Sequence, residues 1–200
     1  MNIKSIGVFC GSSVGSQPQY AEAAAQLGQK MAQQQINLIY GGGNVGLMGV
    51  IADAALALDG KVVGIIPQFL MDKEVGHHAL SKMWIVESMS ERKNKINDLS
   101  DAFIAMPGGF GTLDEVMEVL TYFQLGMSEK PVAFLNTLGY FDHLLIFLDH
   151  VLDQKFMKYE HRHNLIVANT PDELLQKLHE FTPLAVDEKW IKELKQKQSF

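Results

Sequence analysis

The residues of this chain best suited to chemistry lie in one run, Pro107-Gly108-Gly109-Phe110-Gly111-Thr112-Leu113-Asp114-Glu115. An apolar stretch leads into it and an amphipathic one, 116–125, leads out, so the run reads as a strand, a glycine turn and the start of a helix. Glycine has no Cβ, and an anion can come close to such a backbone. The unpaired N–H groups of a helix start add donors and partial positive charge at the same point. A phosphate fits against the backbone of Gly108, Gly109 and Gly111, with Glu115 within reach of whatever the phosphate carries. The spacing Thr112-x-x-Glu115 also spells a capping box. Thr170-Pro171-Asp172-Glu173 repeats that spacing with proline at the first helical position and without glycine. Capping therefore does not demand the glycines, and anion binding is the preferred reading.

Two further glycine turns follow strand-like runs. Gly41-Gly42-Gly43-Asn44-Val45-Gly46-Leu47-Met48-Gly49 opens a helix and loosely matches a dinucleotide fingerprint; a tight turn with close helix–strand packing is the alternative, and the second glycine turn in one sheet favours a shared ligand cleft. Cys10-Gly11-Ser12-Ser13-Val14-Gly15 follows the first run, and its hydroxyls either bind a ligand or make turns. Turns at one end of one sheet can line one crevice, which adds Gly42, Gly43 and Ser13 as candidate contacts. Ser88-x-x-Glu91 is another capping box, and Arg92 and Lys93 stand just behind it. Cations in a first helical turn oppose the helix dipole at a cost of about 0.3–1 kcal/mol, which an anionic ligand offsets. Only two of the 17 basic residues are arginines, Arg92 and Arg162, so Arg92 hints at a need for a planar, two-pronged donor.

These turns need a frame. Apolar runs at 5–9, 37–40, 61–66, 83–86, 102–106, 132–135 and 165–167 alternate with helical patterns at about 19–34, 46–58, 90–99, 112–125, 140–154 and 171–181. Runs apolar throughout suit strands covered on both faces, so the fold class is α/β: a doubly wound, Rossmann-like, mostly parallel sheet of about seven strands. Ligands in such sheets sit beyond the carboxyl ends of the strands, near the switch point. Residues 1–200 read as a single nucleotide-binding domain, with 187–200 a charged peripheral tail. The irregular stretch 71–81 carries Glu74, His77 and His78, and long irregular connections in compact domains often serve function.

An apolar content of 47% and a net charge of −6 describe an ordinary globule and argue against a nucleic-acid surface. A single cysteine, Cys10, excludes an internal disulfide and fits a reducing compartment; placed after a buried run, it reads as an inert small side chain. No stretch has transmembrane length and the first residues lack a signal-peptide core, so a cytoplasmic protein without membrane partners is expected. The seven histidines, His77-His78 and His161-x-His163 among them, form no metal set and read as solvated or core-edge residues. Ser12 and Ser13 lack a nucleophile-elbow context.

Taken together, these residues resemble the LONELY GUY (LOG) family of cytokinin riboside 5′-monophosphate phosphoribohydrolases, often labelled lysine decarboxylases. The resemblance spans 6–178 and rests on Pro107-Gly-Gly-x-Gly-Thr-x-x-Glu115, on Gly41-Gly-Gly-x-x-Gly-Leu-Met-Gly49 and on Met89-Ser90-Glu91-Arg92-Lys93, where serine stands in place of the family's histidine. It implies hydrolysis of the N-glycosidic bond of a nucleoside 5′-monophosphate, AMP or an N6-modified AMP, to free base and ribose 5-phosphate. It implies Arg92 and Glu115 as catalytic residues, Gly109, Gly111 and Thr112 at the phosphate, and Glu74, Lys93 and Thr121 as further contacts. A homodimer or larger assembly with its site near the interface is also implied, and no cofactor or metal. Two alternatives stand beside this: a non-catalytic nucleotide sensor or carrier, and a dinucleotide oxidoreductase. The oxidoreductase expects an acid where Tyr40 ends the second run.

Overall fold

The protein, a computed structural model, is described over residues 3–73 and 76–185; Glu74 and the tail 187–200 lie outside the described residues. Seven strands, β1 (Ser5–Phe9), β2 (Asn37–Tyr40), β3 (Val62–Pro67), β4 (Lys82–Val86), β5 (Ala102–Ala105), β6 (Val132–Leu135) and β7 (Leu165–Ala168), form one parallel sheet in the order β4-β3-β2-β1-β5-β6-β7. The chain winds outward from β1 to β4, then returns to lay β5 on the other side of β1, with Ile6 beside Ala102 and Phe9 beside Ala105. The switch point therefore falls between β1 and β5, the two strands that feed the Cys10 and Pro107 turns.

Helices α1 (Pro18–Gln33), α2 (Gly46–Leu56), α3 (Gln68–Met71), α4 (Met89–Leu99), α5 (Phe110–Gln124), α6 (Asp142–Asp153), α7 (Tyr159–His163) and α8 (Pro171–Glu180) connect the strands. Alternate residues of each strand point to opposite faces. Ile6, Val8, Leu38 and Ile104 thus join Leu27, Ile51 and Leu174 in a core under α1, α2 and α8. Phe9, Phe103 and Phe134 join Ile96, Val116 and Val119 in a second core under α4 and α5. Close approach of α1 to α2 depends on Gly28, where a Cβ would collide with the Ile51 carbonyl. The four-residue β5 is wholly buried, as its unbroken apolar run demands.

The helix starts separate capping from ligand binding. Thr170 accepts from the Glu173 N–H while the Glu173 carboxylate accepts from the Asn169 N–H, a complete capping box. Ser88 and Glu91 make the same reciprocal pair at the start of α4. At α5 no such box forms: the helix begins at Phe110, two residues before the expected start, its N-cap is Gly109, and no side chain caps it. Thr112 and Glu115 lie inside the helix and are buried, so neither is spent on the helix end. Two short helices also escape periodicity, α3 in the stretch 71–81 and its approach, and α7 before β7, because four or five residues are too few to show a period.

Candidate active site

Three turns meet beyond the carboxyl ends of β1, β2 and β5. The Gly11 N–H donates to the Pro107 carbonyl at 3.0 Å, and the Leu47 N–H donates to the Gly11 carbonyl at 3.0 Å. These bonds join the first and fifth turns and anchor the start of α2 to them. Between them lies a cleft of about 340 Å³ lined by Gly11, Ser13, Tyr20, Gly108, Gly109 and Tyr140. The helical ladder of α5 starts with Leu113 donating to the Gly109 carbonyl, so the N–H groups of Phe110, Gly111 and Thr112 precede it.

The glycines of these turns divide by what a side chain would meet. A Cβ on Gly108 would collide with the Thr112 side chain and lie 2.9 Å from the Gly11 nitrogen; one on Gly46 would strike the Ser12–Ser13 backbone. Those glycines are required by the fold. At Gly109 and Gly111 nothing lies within 4 Å of a Cβ, and neither has a left-handed backbone. No neighbour within the described chain requires glycine at either position.

Arg92 and Glu115 come together from residues far apart in sequence. The guanidinium Nη2 of Arg92, from the first turn of α4, lies 3.0 Å from Oε1 of Glu115 on α5, and their side chains are only 12% and 8% exposed. The contact is an ion pair without hydrogen-bond alignment: Oε1 of Glu115 and Nε of Arg92 are buried and have no hydrogen-bond partner. Burial pushes the Glu115 carboxyl above the usual carboxylate range, the Arg92 charge opposes that shift, and Asp114 adds to it. The guanidinium occupies the space a Cβ on Gly41 would take, so that glycine is its seat. The buried Cys10 thiol below is pushed up by burial and then by Glu115, which keeps it protonated and inert.

The other expected site residues are placed as follows. Ser13 lines the cleft, its Oγ accepting from the Gly15 N–H. Gly42 takes a left-handed φ of 75°, and Gly43 bridges to Gly76. Lys93 contacts Glu118 at 2.6 Å and Asp114 at 3.1 Å, and its ammonium is held above the usual range chiefly by the Glu118 bond. Thr121, its Oγ donating to the Met117 carbonyl, stands six residues past Glu115, about 9 Å along α5 and roughly a third of a turn around it. It lines a separate apolar pocket of about 180 Å³ with Leu120, Leu148, Phe156 and His161. Arg92 and Glu115 are thus brought together, Thr112 and the glycines stand beside the cleft, and Thr121 faces elsewhere. Tyr140 is the residue that motif reading missed. It follows β6, donates its Oη to the Gly108 carbonyl at 2.6 Å and meets the Tyr20 ring edge-on at 5.7 Å. A lone tyrosine after a strand carries no signal of such a partner.

Fold and site together define a doubly wound α/β protein with an open glycine loop at its switch point and a buried arginine–carboxylate pair beside it. A family model described as possible lysine decarboxylase matches residues 48–178. The chain is 44% identical over 181 residues to the cytokinin riboside 5′-monophosphate phosphoribohydrolase LOG5 of Arabidopsis thaliana, covering 90% of this chain and 79% of that one. It is 45% identical over 177 residues to the probable phosphoribohydrolase LOGL9 of rice, Oryza sativa subsp. japonica, covering 88% and 78%. The chain belongs to this family, the LOG family. Among solved structures, the molybdenum cofactor binding protein of Rippkaea orientalis superposes with a TM-score of 0.68 at 25% identity over 90% of this chain and 98% of that one. The molybdenum cofactor carrier protein of Chlamydomonas reinhardtii, at 21% identity and a TM-score of 0.67 over 90% and 97%, shares the fold.

Proposed function

We propose that this protein hydrolyses the N-glycosidic bond of a purine nucleoside 5′-monophosphate, AMP or an N6-modified AMP, releasing the free base and ribose 5-phosphate. The observation that carries the reading is the pairing of two sterically unnecessary glycines, Gly109 and Gly111, with a buried carboxylate one turn further along the same helix. The phosphate sits against the N–H groups of Phe110, Gly111 and Thr112, with Gly108, Gly109 and Ser13 around it. The ribose then lies toward Arg92, Glu115 and the Gly42–Gly43 turn. As the C1′–N bond breaks, charge builds on the ribose ring, and the Glu115 carboxylate stabilises it and accepts hydrogen bonds from ribose hydroxyls. Water supplies the new oxygen at C1′, and its proton leaves with the base. The Arg92 charge opposes the burial that disfavours the ionised form of Glu115. Lys93, beside the pair on α4, adds a further nucleotide contact.

A non-catalytic carrier is the second reading, favoured by the fold shared with cofactor-binding proteins. The buried carboxylate weighs against it. A binder of anions gains nothing from a carboxylate buried beside its anion site, where burial itself is costly. In the proposed assembly the chain acts as one nucleotide-binding domain in a cytoplasmic homodimer. The exposed Ile146 and Phe147 of α6 support an interface, and among the described residues no helix is long and apolar enough to cross a membrane. Chromatography of base released from AMP and isopentenyl-AMP, wild type against Glu115→Gln, tests the reaction. Release that collapses in the variant while nucleotide still binds supports the hydrolase, and binding without release by wild type supports the carrier.

A further inference from the structure

His77 stands between α3 and β4, away from the rim of the cleft, yet it is 5% exposed. Its backbone N–H donates to the Gly42 carbonyl at 2.9 Å, and the preceding Gly76 bridges antiparallel to Gly43. Its ring Nδ1 accepts from the Ala79 N–H at 3.2 Å, which assigns the ring proton to Nε2. Nε2 in turn donates to Asp53 Oδ1 on α2 at 2.9 Å. One imidazole thus ties residues 76–79 to α2, while the backbone beside it grips the second glycine turn.

That turn also packs against the sheet. A Cβ on Gly64 of β3 would come within 2.8 Å of the Gly42 Cα, so sheet and turn are in close contact there. Gly41, next in the chain, seats the Arg92 guanidinium that faces Glu115. The path from His77 to the ion pair is therefore short and wholly structural: Gly42 carbonyl, Gly41, Arg92. The Asp53 partner is 68% exposed, so the charge pair itself adds little to global stability.

We infer that His77 is a positioning residue for the hydrolysis, its imidazole holding the Gly41–Gly43 turn in the place that sets Arg92 against Glu115. The inference rests on the hydrolase reading, and its test separates the two. Removing the imidazole in His77→Ala lowers kcat for base release by about 10–100-fold, the scale of a misplacement near 1 Å, while KM stays within about threefold. His77→Gln, whose amide reaches Asp53 as a donor, restores most of the rate, and Asp53→Asn, which keeps an acceptor, is tolerated better than Asp53→Ala. In an Arg92→Ala background, His77→Ala produces no further loss. Amide exchange at Gly42, Gly43 and Asn44 accelerates in His77→Ala while that of β1 and β5 does not. Unchanged exchange at the turn overturns the inference whatever the activity. So does an unchanged kcat in His77→Ala, or a loss that adds in full to that of Arg92→Ala. A wild-type protein that releases no base refutes the hydrolase reading instead, and the exchange measurement still reports on the turn.

Discussion

Gly111→Ala and Gly108→Ala form a matched pair whose outcomes the geometry sets apart. Gly111 is the second residue of α5, and an added methyl there meets no atom within 4 Å. Alanine in a helix is favoured over glycine by up to ~1 kcal/mol, which for a chain of this size raises Tm by about 2–4 °C. That methyl projects into the space assigned to the phosphate. It excludes one oxygen from the N–H groups of the helix start, costing about 1–3 kcal/mol, or roughly 10–100-fold in Kd. Gly108→Ala reverses the pattern. Its methyl strikes Thr112 and crowds the Gly11 nitrogen, both held by the rim, so overpacking lowers stability by about 1–3 kcal/mol. Thermal melting and calorimetric titration with ribose 5-phosphate read both effects. Tighter or equal binding by a stable Gly111→Ala protein would refute the assignment of this loop to the phosphate.

Other expectations follow from the ion pair and the caps. Glu115→Gln reduces base release at least ~10²-fold while nucleotide affinity holds or improves, because the Arg92 charge is left without its carboxylate partner beside the anion; equal turnover by the variant removes Glu115 from the mechanism. The folded Glu115 carboxyl is raised, so the native state binds its proton more tightly than the unfolded chain does. Stability therefore falls as pH rises from the ordinary carboxylate range through the raised value, and activity rises over the same window as the carboxylate ionises. Denaturant melts and rate–pH profiles of wild type and Glu115→Gln check this, since the variant loses both slopes. Gly41→Ala displaces the guanidinium of Arg92, a flexible side-chain end, so kcat drops ~10-fold or more while the melting temperature moves by only a few degrees. Thr170→Ala removes a working helix cap and costs about 1 kcal/mol in chemical denaturation, with base release unchanged.

Much of the frame is legible in the chain because it rests on local rules. Buried parallel strands must be apolar on both faces, so the runs at Ser5–Phe9, Asn37–Tyr40 and Val132–Leu135 announce themselves with the bounds the structure shows. The true capping boxes at Ser88 and Thr170 are equally local, since all their partners lie within four residues. At α5 the same spelling misleads about the helix start, because Gly109 takes the cap and leaves Thr112 and Glu115 inside. Pattern alone cannot tell a threonine that caps from one packed against Gly108.

Local patterns alone carry the α/β class, the glycine turns and the presence of an arginine and a glutamate near helix starts. Which of those groups meet was decided only by the tertiary structure. The return of β5 to the side of β1 places α4 and α5 together on one face. Only then does Arg92 reach Glu115 and Lys93 find Asp114 and Glu118, while the packing of neighbouring βα units brings Tyr140 to Gly108 and His77 to Asp53. The physical reason is range: strand and helix periodicities act over a few residues, whereas burying both faces of a twisted sheet brings together side chains tens of residues apart, and composition carries no record of those pairings.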